Sequence, residues 1–116
     1  MKTIKISDFS SEAASKTKGI MLMNLMEPLL QNNEFFNVDF EGISRFASPF
    51  FNNSFAKLAL VYGFDRISSI EKINISDTGA LAFETSLENA LLLSEKPEYS
   101  EKINIIINSN LPKKDE

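Results

Sequence analysis

"VDFEGISRFASPFF", residues 38–51, carries an apolar stretch through a glycine into a Ser-Pro pair and two phenylalanines. Upstream of it the chain alternates. Phe36, Val38 and Phe40 share one face and Phe35, Asn37 and Asp39 the other, so Phe35 to Phe40 reads as a strand. Gly42 turns the chain. Downstream, Ser48 as N-cap and Pro49 at the first helical position open a helix that runs to Tyr62, where Gly63 stops it. Its buried stripe is Phe51, Phe55, Leu58, Ala59 and Tyr62. Asn52, Asn53 and Lys57 are then expected to face outward.

The rest of the chain repeats this alternation of strand and helix. Thr3 to Ser7 reads as a short strand, and Asp8 to Lys18 as a polar loop ending near Gly19. Ile20 to Leu30 is dense in apolar residues and reads as a helix that Pro28 should kink or split. Ile70 to Ile75 is a third strand, with Ile73 and Ile75 on one face. Ser76 or Asp77 caps a helix from about Thr78 to Leu93, with core positions Phe83, Leu87 and Leu91. Ser94 to Lys102 is a charged linker, Ile103 to Ile107 a last strand, and residues 108–116 a polar tail. Strands alternating with helices predict an α/β fold with a parallel or mixed sheet of about four strands and three helices. Function in such folds gathers at the carboxyl ends of the strands, and Glu41 to Ser48 is such a place.

Composition narrows the chemistry. At 116 residues, the chain is expected to form one domain over 1–116. It has no cysteine and no histidine, which removes the usual zinc sites, thiol nucleophiles and Ser-His-Asp triads. No cofactor and no metal are expected, and a small hydrolase working with carboxylates alone is a distant reading. A net charge of −4 and no basic stripe argue against nucleic acid. No run reaches the length of a membrane span, and a cytoplasmic protein is expected. The four glycines, at 19, 42, 63 and 79, form no phosphate loop.

Three features can carry function. Ser48 is a helix cap worth about 1 kcal/mol, or an exposed hydroxyl that a kinase phosphorylates at a helix start. Phe50 lies off the Phe51–Phe55 stripe, and exposed there it would anchor a contact. Met21, Met23 and Met26 fill core gaps, or belong with Leu22 to a second apolar face on which the chain self-associates. Asp39, at a strand end, is expected to accept hydrogen bonds from the backbone of the Gly42 loop. Only Asp8 follows the first strand, so the acidic pair of a receiver domain is missing. Glu84 and Glu88 form a solvated helix face.

The stretch from Val38 to Phe51 resembles the signature of STAS domains, the fold of anti-sigma factor antagonists and of sulphate-transporter tails. Asp39-Phe40-Glu41-Gly42-Ile43-Ser44 follows its first part, and Ser48 falls at the distance of the serine that a partner kinase phosphorylates. Phe51, Phe55, Leu58, Gly63 and the "KINIS" of residues 72–76 also fit. The resemblance covers roughly residues 35–93, with a weaker echo in "GIMLMNLMEPLL" (19–30). It is closest to the STAS-like family of small bacterial proteins without settled function. Ala47 replaces the antagonists' Asp, and Pro49-Phe50 replaces their Ser-Gly. The resemblance implies a non-enzymatic regulatory module that docks a protein partner at the junction of strand two and helix two. Ser48, Phe50, Asn52, Asn53 and Lys57 would form that surface. The implied partner class is a GHKL-type ATPase or serine kinase. The alternative is a homodimer formed through Met21, Leu22 and Met23 on the first helix.

Overall fold

Phe36, Val38 and Phe40 are buried, and the strand they define is the middle of the sheet. The computed structural model describes residues 1–95. Strands β1 (Lys2–Lys5), β2 (Phe36–Asp39) and β3 (Glu71–Ile73) form a parallel sheet in the order β1-β2-β3. Ile4 lies opposite Val38, and Val38 opposite Lys72. A 3-10 turn, Ile6–Asp8, follows β1 and buries Ile6. The helices are α1 (Lys16–Gln31), α2 (Ser48–Asn52), α3 (Phe55–Tyr62), α4 (Phe64–Ser68) and α5 (Asp77–Ser94). Helices α1, α2, α3 and α5 pack on one another. Right-handed crossovers between strands in the order 1-2-3 bring successive helices to the same face of the sheet.

The sheet of the described residues thus has three strands rather than about four. The expected strand Ile103–Ile107 and the polar tail 108–116 lie outside those residues. The helices of the described residues number five rather than three, for two reasons. The helix expected from Ser48 to Tyr62 breaks at Asn53 and Ser54. There Asn53 Nδ2 donates to the Pro49 carbonyl at 2.7 Å and Ser54 Oγ to the Phe50 carbonyl at 2.8 Å. Short polar side chains that bond to backbone four residues back compete with the helical ladder, and here they interrupt it. Gly63 does stop α3, at φ 104°, a backbone region that costs glycine little. A further short helix, α4, follows it directly.

Helix α1 begins four residues before Ile20 and continues through Pro28. Ser15 caps it, its Oγ accepting from Lys18 N at 3.2 Å. Within α1, Gly19 lies against the Phe50 carbonyl of α2, where a Cβ has no room. That glycine sets how closely the two helices approach.

Phe51 is the hub of the core. Its ring lies 5.2 Å from Phe50, 6.2 Å from each of Phe40, Phe55 and Phe83, and 6.4 Å from Phe46, centroid to centroid. Edge-on and offset contacts of this kind add to the burial of apolar area. Leu22, Met23 and Met26 fill the side of this cluster that α1 supplies.

Candidate functional site

The carboxyl end of β2 is built around Asp39. Its Oδ1 accepts from Glu41 N at 2.9 Å, the backbone bond expected of the Gly42 loop, and from Asn74 Nδ2 at 2.9 Å. These two donors, Asn74 first, hold the Asp39 carboxyl below its ordinary value of 3.8. Beyond Gly42 the chain runs extended. Ala13 N donates to the Arg45 carbonyl at 2.9 Å, and Ala47 N to the Ala13 carbonyl at 3.1 Å. Phe46 pairs with Ala13 in parallel fashion.

That pairing decides the role of Ser48. It draws Ala47 into extended backbone (φ −155°, ψ 155°), so Ala47 is the N-cap of α2 and Ser48 its first residue. Ser48 is therefore not the cap that the Ser-Pro pair predicts. Its side chain is exposed and makes no hydrogen bond among the described residues. Serine caps are instead found at Ser15 and at Ser76, whose Oγ accepts from Gly79 N at 3.2 Å.

The five residues expected on the partner surface divide. Ser48 and Asn52 are exposed and Asn53 is half-buried. Phe50 is fully buried, in contact with Phe51 edge to face, and cannot be an exposed anchor. The break after Asn52 turns α2 so that both phenylalanines point inward. Lys57 is 2 % exposed rather than outward-facing, because α3 packs against both α1 and α5. Its Nζ donates to Asn53 Oδ1 at 3.3 Å, and no carboxylate pairs with it among the described residues. Burial pushes its pKa down to about 8, and the Lys16 charge adds to the effect.

The expected self-association face fares similarly. Leu22 and Met23 are completely buried and belong to the core. Met21 does face out, and so does Leu25. Leu91, expected in the core of α5, is 40 % exposed, whereas Phe83 and Leu87 are buried as expected.

A groove of about 660 Å³ runs between α3 and α5 from the end of α2. Asn52, Asn53 and Lys57 line it together with Ser86 and Asn89 of α5. Ser86 Oγ donates to Asn52 Oδ1, tying the two sides. Sequence reading placed three of these residues near one another but missed the groove and the burial of Lys57. A lysine following two asparagines reads as solvated, and only the docking of α5 shows otherwise. No group of three or more acidic residues among those described is placed to hold a metal. None of the described helices is long and apolar enough to cross a membrane.

These features define an α/β domain: among the described residues a three-stranded parallel sheet, helices packed on one another, and a strand-to-helix loop that leaves a serine hydroxyl free. A family model described as "STAS-like domain of unknown function (DUF4325)" matches residues 18–80, just over half of the chain. The chain belongs to this family of STAS-like domains. The match begins in α1, takes in the whole β2–α2 junction and ends in the first turn of α5. It thus starts earlier and ends sooner than the signature-based span of 35–93. No curated protein and no solved structure matches the chain.

Proposed function

We propose that this domain is a non-enzymatic regulatory module that docks a protein partner at the β2–α2 junction. One observation carries the reading. Ser48 stands exposed at the start of α2 with a hydroxyl that the fold does not use. A serine without a structural task at a strand-to-helix loop is available for contact or for modification. Arg45, Pro49 and Asn52 are exposed beside it in the chain. The neighbouring carboxylate, Asp39, is engaged by Glu41 and Asn74, which suits a loop-shaping role better than acid–base chemistry. By family resemblance the partner is a GHKL-type ATPase or serine kinase, and phosphorylation of Ser48 is the switch. A doubly charged phosphate at an interface must be desolvated, and it releases a partner that gives it no cation.

The test is co-purification of the tagged full chain from its native cells, followed by mass spectrometry. Wild type is expected to retain an ATPase-fold partner and Ser48→Asp to lose it, with a phosphorylated Ser48 peptide in the unbound fraction. Equal recovery of the same partner by wild type, Ser48→Asp and Asn52→Asp places the contact elsewhere and overturns the reading.

A further inference from the structure

The lining of the α3–α5 groove poses a separate chemical problem. Lys57 is 2 % exposed, yet its only hydrogen bond among the described residues is to a neutral amide oxygen. A buried ammonium is ordinarily paired with an anion or well supplied with acceptors. None of the described residues that line the groove carries a negative charge. The charge that acts on it among the described residues is another cation, Lys16, at the start of α1.

The other polar groups point the same way. Asn52 Oδ1 is occupied by the Ser86 hydroxyl, and the Asn52 Nδ2 donors are unused among the described residues. Asn89 makes no side-chain hydrogen bond among the described residues. Among the described residues the groove therefore offers free donors and no anionic acceptor. Its remaining walls are apolar: Ala56, Leu60, Ala90, Leu92 and Leu93, of which Leu92 is 57 % exposed. A space of about 660 Å³ with mostly apolar walls and a few polar groups has the size and character of a small-molecule site.

We propose that the groove between α3 and α5 binds a small molecule with an aliphatic body and a single carboxylate, which pairs with the Lys57 ammonium. The aliphatic body lies along Leu60, Leu92 and Leu93. The carboxylate takes a charge-assisted bond from Lys57 and a neutral one from Asn52 Nδ2. The groove shares Asn52 with the edge of the Ser48 surface, but the proposal does not depend on the partner reading.

Octanoate is the probe, titrated below its micelle concentration into the ¹⁵N-labelled full chain and followed by NMR. Saturable shifts are expected at Lys57, Asn53, Leu60 and Asn89. Octanol, with the same chain and no charge, should bind about tenfold or more weakly, the worth of one hydrogen bond to a charged group. Lys57→Met keeps the aliphatic stem, and it should bring octanoate affinity down to that of octanol while leaving octanol binding unchanged. The octanoate–octanol comparison needs no variant, so the proposal stays exposed even if Lys57→Met misfolds. Equal affinities for the two probes, shifts confined to other surfaces, or no response to octanoate, as from a groove already filled by the chain itself, would overturn it.

Discussion

Asn74 sits in left-handed backbone, φ 58°, and donates its side-chain amide to Asp39 Oδ1 at 2.9 Å. Asparagine tolerates that backbone region better than most residues, and the bond joins the carboxyl ends of β2 and β3. With Glu41 N on the same oxygen, it holds the Asp39 carboxyl below its ordinary value of 3.8. The folded state thus releases this proton more readily than the unfolded chain does. The resulting stability is complete above the unfolded value and is lost as pH falls through the lower folded one. Glu12, whose Oε1 accepts from Ala14 N and Ser15 N, has a lowered pKa and adds to the same acid limb. Melting midpoints of Asp39→Asn should therefore fall less steeply than wild type on acidification. An identical slope for the two proteins would show that Asp39 is not held by these bonds.

Gly19→Ala tests how closely α1 and α2 approach. The added methyl meets the Phe50 carbonyl, a backbone atom that cannot swing aside as a side chain could. Elsewhere in a helix the change from glycine to alanine stabilises by about 0.5–1 kcal/mol. Here it should destabilise by about 1–3 kcal/mol, the usual cost of overpacking. Urea denaturation decides between the signs.

Phe50 and Phe51 should respond alike. Both are fully buried and their rings meet edge to face. Truncating either to alanine should cost about 3–5 kcal/mol, a large share of the roughly 5–15 kcal/mol that holds a domain together. An exposed anchor at Phe50 would instead lose binding and leave the unfolding curve in place. Chemical denaturation of Phe50→Ala separates the two descriptions without any knowledge of a partner.

Much of this architecture was legible because it is local. Phe36 and Val38 of the period-2 pattern sit in β2 with Phe40 just past its end, Ser76 caps α5, and Gly63 ends α3. What was not legible depends on contacts far along the chain. Ala13 pairs with the segment at Phe46 and makes Ala47 the cap, so Ser48 moves one position into the helix. The run Asn52-Asn53-Ser54 did contain a local signal of the break, three poor helix formers in succession, but a continuous apolar stripe masked it. With the helix read as unbroken, Phe50 and Lys57 fell on the outer face. Once it breaks, both turn inward and the groove can form.

Lys57 should leave its mark on the alkaline side. Its folded pKa, about 8, lies below the ordinary 10.5 because burial disfavours the charged form. Between these values the unfolded chain binds the proton and the folded one does not, so stability rises with pH across that window. Below about 8 the buried charge is a standing cost. The groups facing it offer no relief, since Lys16 on α1 is a like charge and the groove residues of α5 are uncharged. Lys72 has its pKa lowered by its own burial and contributes with the same sign, so the difference between wild type and Lys57→Met is the useful quantity. Lys57→Met should be more stable at neutral pH by on the order of 1–3 kcal/mol, with the gap closing toward alkaline pH. A constant gap across that range would mean that the ammonium is solvated or already paired.

The three serines at helix starts give the sharpest separation of fold from function. Ser15 Oγ accepts from Lys18 N and Ser76 Oγ from Gly79 N, each at 3.2 Å, so either change to alanine should cost about 1 kcal/mol. Ser48 makes no such bond and is exposed, so Ser48→Ala should stay within about 0.5 kcal/mol of wild type. Urea unfolding of the three variants, side by side, measures this directly. A cost at Ser48 equal to that at the other two would restore it as the cap of α2 and leave its hydroxyl occupied. If Ser48 is silent in unfolding, Ser48→Asp adds a charge to the surface without removing any bond from the fold. A partner lost from that variant during co-purification is then lost at the interface, because the scaffold beneath it is unchanged.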